Sequence, residues 1–345
     1  MKRRWRWAIA LMALALVGTP AAAGGKSRTK TTTTTSATSS SEDINPSSVV
    51  VTEDDFLALA STEPSQYDMT STDVAVMPTG RGVVVAVLDA GFNTYHPAIA
   101  MNISPMSYDA VDGDADVDDF GNGFDDDGDG IVDRAVGHGT FVIGMVLDTA
   151  PDAMIVPIRV RDDEGRGKNE FLARGIEFAT KAGVDVINLS LEASTSRRKQ
   201  VIDAIKRAKS AGIVVVVSAG NDGVDDVSSL GVADTLIVGA VDARDCIAEF
   251  SNYSPGDLRD GYMVFAPGVD LLGPMGKDSL GYWSGTSFSA GIASGAAAMA
   301  IERHPGYLPG DVAAFLAKCT VPVCDAYGAV YQFGGRIDLT LVATR

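Results

Sequence analysis

From residue 80 onward, short β-branched runs alternate with helical patterns, and few folds accommodate that alternation. Val83-Val84-Val85-Ala86-Val87-Leu88 is a continuous apolar run, as expected for a strand covered on both faces. Similar runs stand at Ile155–Ile158, Val184–Leu189, Ile213–Val217 and Leu236–Val238. Between them, Leu172, Ile176 and Ala179 share one helical face ahead of Gly183, and Val201, Ile205 and Ala208 share another ahead of Gly212. The pattern predicts an α/β fold, a mostly parallel sheet between helical layers, with its chemistry gathered at the carboxyl ends of the strands. A length of 345 residues, 46% of them hydrophobic, is ample for such a core.

Four polar groups stand at these strand–helix junctions. Asp89 follows the first strand in Val87-Leu88-Asp89-Ala90-Gly91. His138 lies in Gly137-His138-Gly139-Thr140, which opens an apolar helical stretch through Val146. Asn221 ends Ala219-Gly220-Asn221, and Ser287 ends Ser284-Gly285-Thr286-Ser287 ahead of the small-residue helix Ala290–Ile301. A serine hydroxyl is a weak nucleophile that needs a base, and the base needs a carboxylate to orient it. Ser287, His138 and Asp89 supply one of each, and the Asn221 amide with the Ser287 N–H could hold an oxyanion. Singly, each residue has a plainer reading: Asp after a strand as a turn former, Ser before a helix as an N-cap. His96 and His304, each followed by Pro, read as structural.

With these four motifs in the order Asp, His, Asn, Ser, the chain resembles the subtilisin-like serine proteases, the subtilase family, from about residue 79 to 340. Supporting stretches are Ala150-Pro151-Asp152-Ala153, Val186-Ile187-Asn188-Leu189-Ser190-Leu191, Phe250-Ser251-Asn252-Tyr253-Ser254 and Phe265-Ala266-Pro267-Gly268. The resemblance implies a three-layer fold with about seven strands and peptide-bond hydrolysis through an acyl-enzyme. It also implies Asn221 as the oxyanion donor and frequent structural Ca²⁺. Ser190, Leu191, Glu192, Gly220 and Asp222 are the expected substrate-binding residues. Three residues depart from the family pattern: Phe141 replaces a second His, Gly291 replaces a Pro one turn after the nucleophile, and Glu192 replaces a Gly. The Gly at 291 is expected to loosen its helix slightly. Glu192 and Asp222 read in two ways, as acids of a primary pocket selecting Lys or Arg, or as solvated rim residues.

The net charge of −17 argues against nucleic acid as a partner. Eleven aspartates, with no Lys, Arg or Glu among them, lie between Asp109 and Asp133. Asp125, Asp127 and Asp129 alternate ahead of Gly130, as in the first half of a calcium loop, although Val136 stands where a bidentate Glu would close it. Asp112, Asp114, Asp116 and Asp118 form a second cluster, and bound Ca²⁺ is the expected relief of their repulsion. A solvated loop is the alternative.

At the N-terminus, Lys2, Arg3, Arg4 and Arg6 precede the apolar run Ala8–Val17 and the small residues Ala21-Ala22-Ala23, the pattern of a signal peptide over 1–23. That run is too short to span a bilayer. Removing it takes the net charge from −17 to −21. A Ser/Thr-rich disordered linker is expected over 24–52 and the peptidase domain over 53–345. The expected protein is an exported monomer acting on polypeptides, with no stable membrane anchor. A disulfide between Cys319 and Cys324 is expected, leaving Cys246 as a thiol. Two other classes compete, a catalytically silent peptide-binding relative and a metal-dependent hydrolase using the aspartates. The intact quartet speaks against the first, and the lack of interleaved His or Glu against the second.

Overall fold

The computed structural model describes residues 77–119, 121–126, 128, 130–191, 198–227, 235–254, 261–276, 278–325 and 330–345, together with the backbone of 44–51. The signal-peptide reading over 1–23 lies outside these residues, as does most of the linker reading. The last part of the expected linker, Ile44–Val51, forms strand β1. The apolar runs emerge as β2 (Val84–Asp89), β4 (Met154–Arg159), β5 (Val186–Leu189), β6 (Val214–Ser218) and β7 (Thr235–Val241), and a further parallel strand, β8 (Gly261–Pro267), was not read from the sequence. With the short β3 (Tyr108–Asp109) and the hairpin β11 (Thr320–Cys324) and β12 (Val330–Ile337), they build a sheet in the order β11-β12-β8-β7-β6-β5-β2-β4-β3. Only the β11–β12 pair is antiparallel. The sheet has nine strands rather than about seven. The hairpin enlarges it, and its strands, one interrupted by Pro322 and the other by Gly334-Gly335, lack the β-branched continuity of the other strands. A separate three-stranded sheet joins β1 to β10 (Leu280–Ser284) and β9 (Leu271–Pro274).

The strand period of two divides the core. Val85 and Val87 face one side, with helices α1 (His138–Thr149), α4 (Thr286–Arg303) and α5 (Pro309–Lys318). Ala86 and Leu88 face the other, with α2 (Asn169–Ala182) and α3 (Arg198–Ser210). A short α6 (Leu339–Thr344) closes the chain. Because β4 and β5 flank β2 on opposite sides, the order reverses there, and the carboxyl end of β2 opens onto the crevice where such sheets bind ligands.

Helix α4 is buried along nearly its whole length and runs against α1. A Cβ on Gly291 would come within 2.9 Å of Met145 Cβ, and one on Gly295 within 2.5 Å of Thr149 Cβ. The glycine at 291 therefore serves close helix packing, a role that the expectation of a loosened helix does not contain.

The expected disulfide is corrected. Cys246 bonds Cys324, and Cys319 is a buried free thiol. Cys319 caps α5 and packs into the core, while β11 runs extended away from it. Five extended residues advance roughly 16 Å, too far for a bond. The strand instead carries Cys324 to the 242–247 turn, where its N–H donates to Asp245 O at 3.0 Å and its carbonyl accepts from Ile247 N–H at 2.7 Å.

Candidate active site

Asp89 ends β2, buried, and its Oδ1 lies 2.7 Å from His138 Nδ1. The same oxygen accepts the Ala90 N–H at 2.7 Å, while the buried Oδ2 has no hydrogen-bond partner among the described residues. A carboxylate on Nδ1 makes that nitrogen the N–H donor and leaves Nε2 as the basic lone pair. His138 is the first residue of α1. Gly137 before it takes φ +88°, a left-handed turn that a side chain resists. Asp119 binds the cap residue itself: its Oδ2 accepts the Gly137 N–H at 2.6 Å. Burial, then the neighbouring Asp89 charge, push the Asp119 carboxyl up to about 6, against the Gly137 bond and Arg159, which lower it.

An aromatic wall backs the imidazole. Trp283 meets it edge-on at 5.4 Å between centroids, Phe288 lies at 5.3 Å, and the buried Phe141 packs on Phe288 at 4.5 Å. Phe141 is thus core, consistent with a position that takes no part in proton transfer. Phe288 also brings the start of α4 to His138, and Ser287 sits beside it, buried. The Ser287 hydroxyl donates to Ser190 O at 3.3 Å, and the Ser190 hydroxyl donates to Ser287 O at 2.8 Å. Asn221 Oδ1 accepts the Thr286 N–H at 2.9 Å, which leaves Nδ2 as the donor end of that amide.

Of the expected substrate-binding residues, Ser190 is buried and hydrogen-bonded to Ser287, and Leu191 is buried and lines a small cleft alongside Arg161, Lys168 and Leu172. Gly220 takes φ +101° and donates its N–H to Thr286 Oγ1 at 3.1 Å. The Asp222 carboxylate accepts from Asn252 Nδ2 at 3.3 Å; Glu192 lies outside the described residues. Asn252 is a positioning group whose role the sequence did not reveal. Its Oδ1 accepts the N–H groups of Asp222 and Val224, and its own N–H donates to Gly220 O, so one side chain pins the loop around Asn221. The Phe250–Ser254 motif was its only signal.

The aspartates do not gather into one cluster. Asp109 and Asp112 both accept from Arg159, at 2.6 and 3.0 Å. Asp114 and Asp116 each accept the N–H two residues on. Asp118 accepts from Thr94 at 3.3 Å, and burial raises its pKa. Asp125 accepts the N–H groups of Gly128 and Gly130. Asp127 and Asp129 lie outside the described residues. Among the described residues no three His, Cys, Asp or Glu side chains are placed to share a metal ion. The other histidines are structural, as expected. His96 Nε2 lies 3.1 Å from Ser279 O and its Nδ1 accepts the Ala98 N–H, with burial holding its pKa down. His304 stacks on Tyr307.

The Peptidase S8 subtilase family model matches residues 80–328, which span both the Asp89–His138 pair and Ser287. The chain belongs to the subtilase family. Subtilases are serine-type endopeptidases, and relatives agree. The chain is 30% identical over 285 residues to subtilisin E of Bacillus subtilis, covering 77% of this chain and 68% of the relative. It is 33% identical over 239 residues to subtilisin BL of Lederbergia lenta, covering 66% and 80%. Among solved structures, a protease of Pseudoalteromonas arctica superposes with a TM-score of 0.66 at 28% identity, over 77% of this chain and 91% of that one. A cold-adapted subtilisin-like serine proteinase gives 0.61 at 25% identity, over 73% and 88%.

Proposed function

We propose that this subtilase cleaves peptide bonds with Ser287 as nucleophile, His138 as general base and Asp89 as the orienting carboxylate. The 2.7 Å contact between His138 Nδ1 and Asp89 Oδ1, at the start of a helix packed against the one that carries Ser287, supports this reading above all. The Ser287 oxygen attacks the scissile carbonyl carbon and passes its proton to His138 Nε2. The oxyanion is held by Asn221 Nδ2 and the Ser287 N–H. Collapse breaks the C–N bond, and His138 returns its proton to the departing amine. Water, activated by the same His138, then hydrolyses the acyl-enzyme and frees Ser287.

The test is cleavage of an unfolded protein by the full chain and three variants. Ser287→Ala should lose on the order of 10⁶-fold in kcat, a magnitude established in subtilisin itself. Asn221→Ala should lose ~10²–10³-fold, again subtilisin's figure. Asp89→Asn should lose roughly 10⁴-fold. Cleavage undiminished in Ser287→Ala would refute the assignment.

The substrate is a polypeptide, and Glu192 with Asp222 gives a preference for Lys or Arg before the scissile bond; a peptide library returning Phe or Leu there would exclude it. Export rests on the signal pattern of residues 1–23, and no helix among the described residues is long and apolar enough to cross a membrane. Calcium enters no step of the reaction. Within the cluster from Asp112 to Asp118, Asp112 is engaged by Arg159, Asp114 and Asp116 each cap a backbone N–H, and Asp118 accepts from Thr94. A structural Ca²⁺ is proposed for these carboxylates and for the Asp125–Gly130 turn, on their alternate spacing in the sequence.

A further inference from the structure

We propose that Asp119 is a positioning residue for the base: it ties the Gly137–His138 backbone to the chain just beyond Asp89, and so sets how His138 meets Ser287. The proposal rests on the protease reading above. Three observations carry it. The Asp119 carboxylate takes the Gly137 N–H at 2.6 Å, a charge-assisted bond to the cap residue of α1, which has no capping side chain of its own. The same side chain lies against the acid's segment, because a Cβ on Gly91 would meet Asp119 Cβ at 2.9 Å. Nearby, the Phe92 N–H donates to Val117 O at 2.9 Å, which seats the strand leading to Asp119 on the residues after Asp89.

The far end of the same loop is also tied to that segment. Arg159, opposite Asp89 in the β2–β4 register, donates from Nε to Ala90 O at 3.1 Å and from its guanidinium to Asp109 and Asp112. Residues 109–119 are therefore held at both ends beside the acid, and Asp119 is the one that also bonds Gly137, the residue before the base. Holding a carboxylate there is unfavourable. It is largely buried, Asp89 and Asp163 repel it, and Arg159 offsets only part of that. An Asn would accept the same N–H without the repulsion. The charge is accounted for by the stronger bond it makes to Gly137, at a position where a misplacement of about 1 Å can cost 10²-fold in rate.

The test compares full-length Asp119→Ala, Asp119→Asn and Asp119→Glu with wild type, reading kcat, KM and the exchange rate of the Gly137 amide. The exchange is measured in a Ser287→Ala background, where it needs no activity. Asp119→Ala should lower kcat on the order of 10- to 100-fold with KM within about twofold, and should speed Gly137 exchange. Asp119→Asn should restore most of both, because its amide oxygen accepts the same N–H. Asp119→Glu keeps the charge but displaces the acceptor by one methylene, and should lose kcat even if Asp119→Ala does not fold. Wild-type kcat in Asp119→Ala, a loss confined to KM, or an Asn variant no better than Ala would overturn the proposal, as would unchanged Gly137 exchange. A wild type without Ser287-dependent cleavage would refute the protease reading instead, and the exchange comparison would still decide whether Asp119 holds Gly137.

Discussion

At the residue scale, the quartet proposed for catalysis, Asp89, His138, Asn221 and Ser287, was legible because nucleophilic catalysis needs specific residue types, and each sits in a short motif at a strand end or helix start. Asp119, Asn252, Trp283 and Arg159 were not. Each acts through a tertiary contact, such as Asp119 on Gly137 across 18 positions or Asn252 on Asp222 across 30. Local spacing carries no trace of such pairs. Asp119 also leads to a stability prediction. Its carboxyl is raised from 3.8 to about 6 in the fold, so the native state binds its proton more tightly than the unfolded chain does. Its contribution is therefore most favourable below about pH 4 and is lost as pH rises through about 6. Asp119→Asn should melt higher than wild type at pH 8, with the gap closing by pH 4. Melting curves at the two pH values check this, and a constant gap would contradict it.

At the element scale, β-branched continuity located β2, β4, β5 and β6 to within two residues and the start of β7, because strands buried on both faces need it, while the parallel strands β3 and β8 were not marked by it. The run Val83–Leu88 became β2 at Val84–Asp89, and the Gly183 stop became the C-cap of α2. The β9–β10 and β11–β12 hairpins and β1 escaped notice. Their residues are mixed in character, and their pairing comes from the sheet edges they meet. The α1–α4 contact was invisible for a related reason: a small-residue helix does not announce which partner approaches it. Gly291→Ala and Gly295→Ala each force a methyl into contact with α1 and should destabilise by about 1–3 kcal/mol despite the better helix propensity of Ala. Thermal melts test this, and a raised Tm for either would mean that the helices can separate at no cost.

At the scale of the whole molecule, the disulfide shows what spacing alone misses. Cys319 and Cys324 are neighbours in sequence, yet the fold brings together Cys246 and Cys324, which are 78 residues apart, and burial pushes the Cys319 thiol up. Closing a loop of that length stabilises by roughly 4–5 kcal/mol in the chain-entropy treatment. Cys246→Ser should therefore lower Tm by about 10 °C, whereas Cys319→Ala should leave the cross-link intact. The reverse ranking would restore the sequence-based pairing. The acidity also resolves at this scale. Part of it is neutralised by Arg159 and part caps backbone turns, the Asp125 turn among them, where a cation is proposed. A chelator should lower Tm and added calcium should restore it; an unchanged Tm would leave that turn without a metal.

The central claim is that Ser287 is a nucleophile activated by His138, and covalent labelling reads it directly. A fluorophosphonate probe, followed by peptide mass spectrometry, should modify wild type at Ser287 and leave Ser287→Ala and His138→Ala unmodified. A correctly folded wild type that stays unlabelled, or is labelled equally without His138, would contradict the account.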